Sequence, residues 1–179
     1  MSSRESGTPQ PLPPYSYVPG GRWPHPTSSP LGHLHGRLQG RPPAIEGDAW
    51  SDSEAYLRGV ALFNAGYYWE AHEAWEALWH AHGRRGATAM VLKGLIKLAA
   101  AGVKIREGRE AGARSHARRA AEHFAEAISA AGPRRLGLDL PEWIKHAECI
   151  AMRPPDERDT IDSAVHRVFS FDLGPDSLP

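Results

Sequence analysis

From about residue 52 onward, apolar side chains recur every three or four positions, which is the period of an α-helix with one buried face. Breaks that contain glycine divide this pattern into segments. The segments predict four helices, at about residues 52–64, 67–82, 87–107 and 110–131. A chain with this pattern is expected to be all-α.

Local signals mark the ends of these helices. Ser51-Asp52-Ser53-Glu54 has the spacing of a capping box at the start of the first helix, and Asn64-Ala65-Gly66 places a glycine where that helix should end. Pro141 suits the first turn of a fifth helix, and Pro154-Pro155 requires that helix to end by Arg153. The expected fold is a compact bundle of four to six helices.

The two helix pairs share a pattern of small residues. Gly59 precedes Ala71 by twelve positions and Ala101 precedes Ala113 by twelve, each across a turn. Small residues at this spacing predict two antiparallel hairpins of the tetratricopeptide (TPR) type, although a plain four-helix bundle needs the same contacts. Alanines of the fourth helix are expected to face Gly102, so that the third and fourth helices approach closely.

The first 47 residues are dense in proline, glycine and serine, which disfavours both helix and central strand. Aromatic residues such as Tyr15, Tyr17 and Trp23 are interleaved, and pure linkers lack them. An extended arm that docks partly on the helices is therefore predicted. The expected division is an arm at 1–47, a helical core domain at 48–131, and a C-terminal helix and tail at 132–179.

The tail carries one short apolar cluster. Its members are Val165, Val168, Phe169 and Phe171. The pattern is equally compatible with a last helix and with an extended strip laid on the body, so it leaves both open. The conformation of 156–179 is not determined by the sequence.

The net charge is zero, but the charge is unevenly distributed, with an acidic excess in 42–80 and a basic excess in 84–135. This asymmetry is compatible with acidic and basic helices that face each other, and with steering of a charged partner. The basic side chains are Lys93, Lys97, Lys104, Arg114, Arg118 and Arg119. Because no exposed aromatics accompany them, nucleic-acid binding is not favoured.

The chain has no run of eighteen apolar residues, and its N-terminus lacks the pattern of a secretory signal. It contains a single cysteine, Cys149, which fits a reducing compartment. These features predict a protein of the cytoplasm that does not contact membrane.

The most distinctive stretch is FNAGYYWEAHEAWEALW at 63–79. His72 and Glu76 are four residues apart on one helix face, where they can share a proton, a hydrogen bond or a metal ion. Glu73 projects about 100° away on the helical wheel, so the three are not expected to converge. Two ligands are fewer than the three protein ligands of a typical catalytic metal.

Additional metal ligands could come from the arm if it folds over this helix. The candidate ligands are His72, Glu76, His25, His33 and His35. The competing interpretation is a histidine that is hydrogen-bonded to Glu76 and packed beside Trp79. Trp69 lies on the polar face, which suggests a cover, either the arm or a second subunit. The candidate site for a ligand or a partner therefore comprises Asn64, Trp69, His72, Glu73, Glu76 and Trp79.

The same stretch, followed by LKGLIKLAAAGVKIREGREAGARSHARRAAEHF, resembles the family known as domain of unknown function 309, found in bacteria, archaea and plants. The resemblance covers about residues 56–124, and the Pro- and His-rich arm resembles the N-terminal extension of one branch. The family's signature falls on Asn64, Gly66, Glu70, His72, Glu73, Trp75, Glu76, Gly94, Gly112 and Ala113. The resemblance implies a compact helical fold and no particular activity.

Two functional hypotheses follow. The first is a non-enzymatic interaction or scaffold module that associates with a second copy of itself or with another protein. The alternative is a metal-binding or hydrolase-like protein with a site at His72, Glu73 and Glu76, roofed by the arm and holding a divalent metal. The sequence leaves open the enzyme question, the partner and the oligomeric state.

Overall fold

The computed structural model describes residues 11–37 and 40–175, so the first ten positions of the predicted arm and the last four of the tail lie outside the described residues. Within them the chain forms five α-helices: α1 (Glu54–Asn64), α2 (Tyr68–Ala81), α3 (Gly86–Arg106), α4 (Glu110–Ala131) and α5 (Leu140–Met152). Two-residue strands, β1 (Arg134–Arg135) and β2 (Leu138–Asp139), pair antiparallel between α4 and α5. The prediction of an all-α bundle is confirmed.

The local signals explain where the helices begin and end. The N-cap of α1 is Ser53, two residues after the Ser51 with which the predicted capping box begins, and its hydroxyl accepts a hydrogen bond from the backbone N–H of Tyr56 at 3.3 Å. Gly66 ends the turn after α1 with φ +89°, a conformation that favours glycine. A Cβ at Gly66 would also lie 2.7 Å from the carbonyl oxygen of His166, so the tail passes directly over this turn.

Helix α3 is the central element, packed between α2 on one side and α4 on the other. It is long and apolar enough to cross a membrane on length and composition alone, but 67% of that window is buried inside the fold. Burial on both sides explains the apolar composition, because the core helix of a soluble bundle needs no polar stripe.

Two glycines of α3 set its distance from its neighbours, and they face different helices. A Cβ at Gly94 would lie 2.4 Å from the Phe124 ring of α4. A Cβ at Gly102 would lie 2.7 Å from the Tyr68 ring of α2, so the expectation that Gly102 faces α4 is wrong. The helical period places both glycines near the same stripe, but the stripe is wide enough to meet two neighbours.

The tail is an extended strip, which resolves the alternative that the sequence left open. After a short 3-10 turn at Arg158–Thr160 the chain runs over α1, α2 and α5 without further helix up to residue 175. Phe169 stacks on Phe63 with ring centroids 5.5 Å apart, and Leu173 is fully buried. Apolar side chains therefore anchor an otherwise irregular segment.

The described part of the arm is docked on the rest of the chain, and its residues 19–36 form a series of turns where an extended path was expected. The backbone N–H of Ser16 donates to the carbonyl of Ala164 at 2.7 Å, and the indole N–H of Trp23 donates to the carbonyl of Asp162 at 3.1 Å. Arm and tail thus lie beside each other on one side of the bundle.

Candidate functional site

The distinctive stretch at 63–79, on α1 and α2, has two sides with different surroundings. One side, which we call the clasp, consists of Asn64, Tyr68 and Glu70 together with Arg106 at the end of α3, and it holds the arm and the tail. The other side, which we call the open cluster, consists of His72, Glu73 and Glu76, and these three are partly exposed. Because a helix turns by about 100° per residue, residues that are close in sequence project to different sides of it.

The clasp holds the tail through main-chain hydrogen bonds. The Asn64 side-chain oxygen accepts from the Leu173 N–H at 2.7 Å, and its side-chain nitrogen donates to the Leu173 carbonyl at 3.0 Å. The Tyr68 hydroxyl oxygen accepts from the Val168 N–H at 2.9 Å, and from the next N–H at 3.4 Å. An amide and a phenol thus supply the hydrogen bonds that a neighbouring strand would otherwise provide.

Glu70 holds the arm. Its carboxylate accepts hydrogen bonds from the Ser16 hydroxyl and from the Tyr17 N–H, each at 3.0 Å, while His33 Nε2 lies 4.0 Å away. Burial raises the pKa of Glu70 to about 7, although the two hydrogen bonds and the charge of Arg106 act in the opposite direction. Of the three glutamates in this stretch, Glu70 is the buried one, and its carboxylate is hydrogen-bonded to the arm.

Arg106 completes the clasp from α3. Arg106 is fully buried, and its Nη2 donates to the carbonyls of Thr160 and Ser163 at 2.7 Å each. Burial lowers the pKa of Arg106, while the charge of Glu70 acts in the opposite direction. A guanidinium stays protonated under such conditions, so the clasp contains a buried positive charge next to a buried carboxyl group.

The open cluster brings together residues that the helical wheel separates. His72 Nδ1 lies 3.4 Å from Glu73 Oε1, and one donor atom from each of His72, Glu73 and Glu76 lies within 4.8 Å of the others. The expectation that Glu73 does not converge is therefore wrong. A wheel gives only the direction of each Cβ, whereas the flexible glutamate side chain carries its carboxylate back to the neighbouring position.

A small cavity of about 150 Å³ adjoins the open cluster. Its polar lining is His72 of α2, Lys104 of α3 and Glu107, and Trp69 and Pro19 contribute apolar surface. Pro19 belongs to the arm, so the arm forms part of the cavity wall.

His116 of α4 lies near Lys97 and Lys104 of α3 and near His72 of the open cluster. Burial, together with the positive charges of Lys97 and Lys104, lowers its pKa to about 4. The ring is therefore neutral near pH 7, and its buried Nδ1 has no hydrogen-bond partner within the described structure.

Comparison with known families finds a match to part of the helical body. Residues 56–116 match the family model of DUF309, a domain of unknown function. This matched region is named the DUF309 domain. The match spans α1 to α3 and the start of α4, and the signature residues of both sides at 64–76 lie inside it. No curated protein matches the chain.

The arm covers Trp69 of the DUF309 domain. The indole makes edge contacts with Tyr17 at 5.6 Å and with His25 at 5.4 Å between ring centroids. The cover that the sequence called for thus lies within the same chain. Trp79 lies farther along α2, where Lys93 Nζ sits 3.7 Å from the ring centroid.

The three arm histidines occupy other positions. His25 Nδ1 accepts from the Thr27 N–H at 3.3 Å, and His35 Nδ1 lies 3.0 Å from the Thr27 carbonyl. His33 packs edge-on against Tyr15 beside Glu70. Among residues 11–37 and 40–175, the three-donor group on the DUF309 domain contains none of them.

The structure divides the predicted site. His72, Glu73 and Glu76 are together, Trp69 lies beside them under the arm, and Asn64 points instead to the tail. Tyr68 and Arg106 were missed. Tyr68 lies in the distinctive stretch, but nothing in the sequence shows what its hydroxyl contacts, and Arg106 looks in sequence like any basic residue in the last turn of a helix.

Proposed function

We propose that this chain is a non-enzymatic interaction module whose DUF309 domain binds extended polypeptide, and that its own arm and tail occupy the binding surface in the isolated chain. The observation that carries the proposal is the clasp. Asn64, Tyr68 and Glu70 lie inside the matched domain, and all three use their polar groups on backbone atoms of segments outside it.

This pattern has the two features of peptide recognition. Hydrogen bonds to the main chain provide affinity without regard to sequence, and pockets for individual side chains provide specificity. Here Phe169 packs against Phe63 and Tyr68, with ring centroids 5.5 and 5.2 Å apart, and Leu173 is completely buried. The preferred ligand is therefore an extended segment with an aromatic anchor followed by an aliphatic one.

A second copy of the chain is the partner that this chemistry favours, because it carries the same segment. In the isolated chain the attached tail competes at high effective concentration, so binding in trans requires release of the tail. Self-association would then proceed by exchange of tails and would leave the contacts of the clasp unchanged.

The test is to cut the tail loose without removing it. A protease site placed at residues 154–156 separates the tail from α5 in the folded, full-length chain. We expect the cut tail to co-elute with the body in gel filtration. A labelled peptide of residues 157–175, added in excess, should then replace it, while the same peptide with Phe169→Ala should not.

Two matched variants show whether the clasp is responsible. Asn64→Ala removes both hydrogen bonds to Leu173 and should speed the release of the cut tail. Glu73→Gln, on the other side of α2, should leave the release rate unchanged. If the cut chain unfolds, or if excess peptide never enters, the tail is an integral part of the fold and the proposal is wrong.

A further inference from the structure

We propose that His72, Glu73 and Glu76 bind one divalent transition-metal ion, with zinc as the preferred occupant. Their donor atoms lie within 4.8 Å of one another, on consecutive turns of one rigid helix. This site is separate from the clasp and does not depend on the binding of polypeptide.

The donor set fits such an ion. One imidazole nitrogen and two carboxylate oxygens are ligands that zinc accepts, and three protein ligands leave a coordination position open. At bond lengths of about 2.1 Å, ligands of one ion lie about 3–4 Å apart. Binding therefore requires the two glutamate side chains to rotate so that the observed spacing closes.

The unpaired state of the cluster also points to a ligand. The Nδ1 atom of His72 is buried yet has no hydrogen bond within the described structure, even though Glu73 Oε1 lies 3.4 Å away. The two carboxylates stand close to each other, which is unfavourable without a compensating charge. A divalent cation would satisfy the nitrogen and neutralise both carboxylates at once.

Positive side chains border the cluster but do not replace the ion. Lys93 is near Glu76, but its Nζ lies over the Trp79 ring, 3.7 Å from the centroid. His116 of α4 lies near His72, and its pKa, lowered chiefly by burial to about 4, leaves the ring neutral near pH 7. The charge at the cluster itself is thus set by the two glutamates.

The adjoining cavity gives an ion room for a further ligand. His72 belongs to the cluster and also lines the cavity of about 150 Å³. The cavity is large enough for water or a small anion beside the ion.

The chain itself supplies matched controls. His146 lies 3.9 Å from Glu142 on α5, and His123 lies 3.2 Å from Glu126 on α4. Both are histidine–glutamate pairs on a helix, but each has two donors, whereas the cluster on α2 has three. Binding that depends on the third donor will therefore distinguish the cluster from ordinary surface pairs.

The experiment is a calorimetric titration of the metal-stripped, full-length chain with Zn²⁺, Mn²⁺ and Mg²⁺. All variants carry Cys149→Ser, because the Cys149 thiol is exposed and thiolates bind zinc. We expect one equivalent of Zn²⁺, weaker binding of Mn²⁺, and no measurable binding of Mg²⁺, which prefers oxygen ligands only.

Substitutions then locate the ion. Glu76→Gln and His72→Ala should each weaken Zn²⁺ binding by at least about tenfold, whereas His146→Ala should leave it unchanged. Circular dichroism of each variant shows that the fold is retained. Equal binding by Glu76→Gln, binding of Mg²⁺ as tight as that of Zn²⁺, or no saturable binding at all would overturn the proposal, and each result would leave the tail-exchange experiment unaffected.

Discussion

The clasp residues of α1 and α2 lie on the same short stretch of sequence as the open cluster, but their polar groups have different surroundings. In the clasp the polar groups of Asn64, Tyr68 and Glu70 are buried or half-buried, and each has a hydrogen-bonded partner in the chain. In the open cluster His72 and Glu73 are partly exposed and contact chiefly each other. A family signature can therefore combine residues that hold the chain together with residues that remain free to bind something else.

Because of this difference, we expect substitutions on the two sides to change the free energy of unfolding by unequal amounts. The largest change is expected at Arg106. Arg106→Leu keeps most of the apolar stem but leaves the Thr160 and Ser163 carbonyls without a donor and removes the positive charge that acts to lower the pKa of Glu70. We expect the free energy of unfolding to fall by about 3–5 kcal/mol, the cost of removing one partner from a buried charged network. Urea denaturation at pH 7 measures this change.

Arg109→Leu is the matched control for that substitution. Arg109 is the next arginine along the chain, its side chain is 74% exposed, and its Nε lies 3.3 Å from the Glu107 carboxylate. Its loss should change the free energy of unfolding by less than about 0.5 kcal/mol. Equal effects of the two substitutions would show that Arg106 is not a structural charge.

The second prediction concerns the tyrosine of the clasp. Tyr68→Phe keeps the ring but leaves the buried N–H groups of Val168 and Phe169 without an acceptor. We expect a loss of about 2 kcal/mol and faster hydrogen exchange at the Val168 amide. Tyr67→Phe, whose hydroxyl donates to the Pro13 carbonyl of the arm at 2.9 Å, should leave exchange in the tail unchanged. Unchanged exchange at Val168 in Tyr68→Phe would contradict the role of the clasp.

Local signals in the sequence predicted the helices well, because helix ends depend on neighbouring residues. Ser53 caps α1 and Gly66 ends its turn, and the predicted bounds of the first four helices lie within two residues of those observed. The tail could not be predicted in the same way. Its extended path depends on Tyr68 and Asn64, which lie a hundred or more positions earlier in the chain.

The site was predicted in part for a similar reason. His72 and Glu76 share a face because of helical spacing, which the sequence shows directly. The convergence of Glu73 depends on the rotation of its side chain, and the burial of Arg106 depends on where the tail runs. Neither can be derived from a helical wheel.

The third prediction concerns pH and the far end of the arm. The Ile45 N–H donates to His82 Nε2 at 3.0 Å, and burial lowers the pKa of His82 below its ordinary value of 6.5. Above about pH 6.5 the folded and unfolded chains are both neutral at this residue. Below it the unfolded chain takes up the proton more readily, so this contribution to stability is lost as the pH falls.

His82→Gln isolates that contribution, because the glutamine oxygen can accept the same hydrogen bond but does not titrate. Unfolding is measured in urea at pH 7.5 and at pH 5.5 for both chains. We expect the native chain to lose more stability on acidification than the variant, by less than the effect of Tyr68→Phe because His82 is partly exposed. Parallel losses in the two chains would exclude His82 as the cause.

The smallest expected effect is at the open cluster, and it tests most directly whether the open cluster differs from the clasp in its contribution to stability. In metal-stripped protein, Glu73→Gln or Glu76→Gln should change the free energy of unfolding by no more than about 0.5 kcal/mol, since the partly exposed contact of His72 with Glu73 contributes little. Each change also removes repulsion between two carboxylates that lie within 4.8 Å, so the expected sign is a slight gain in stability. A loss comparable to that of Tyr68→Phe would mean that both sides of the signature hold the fold together. A slight gain would mean that evolution placed mutually repelling charges on α2 at a cost to the unliganded fold, which is what a site for a cation requires.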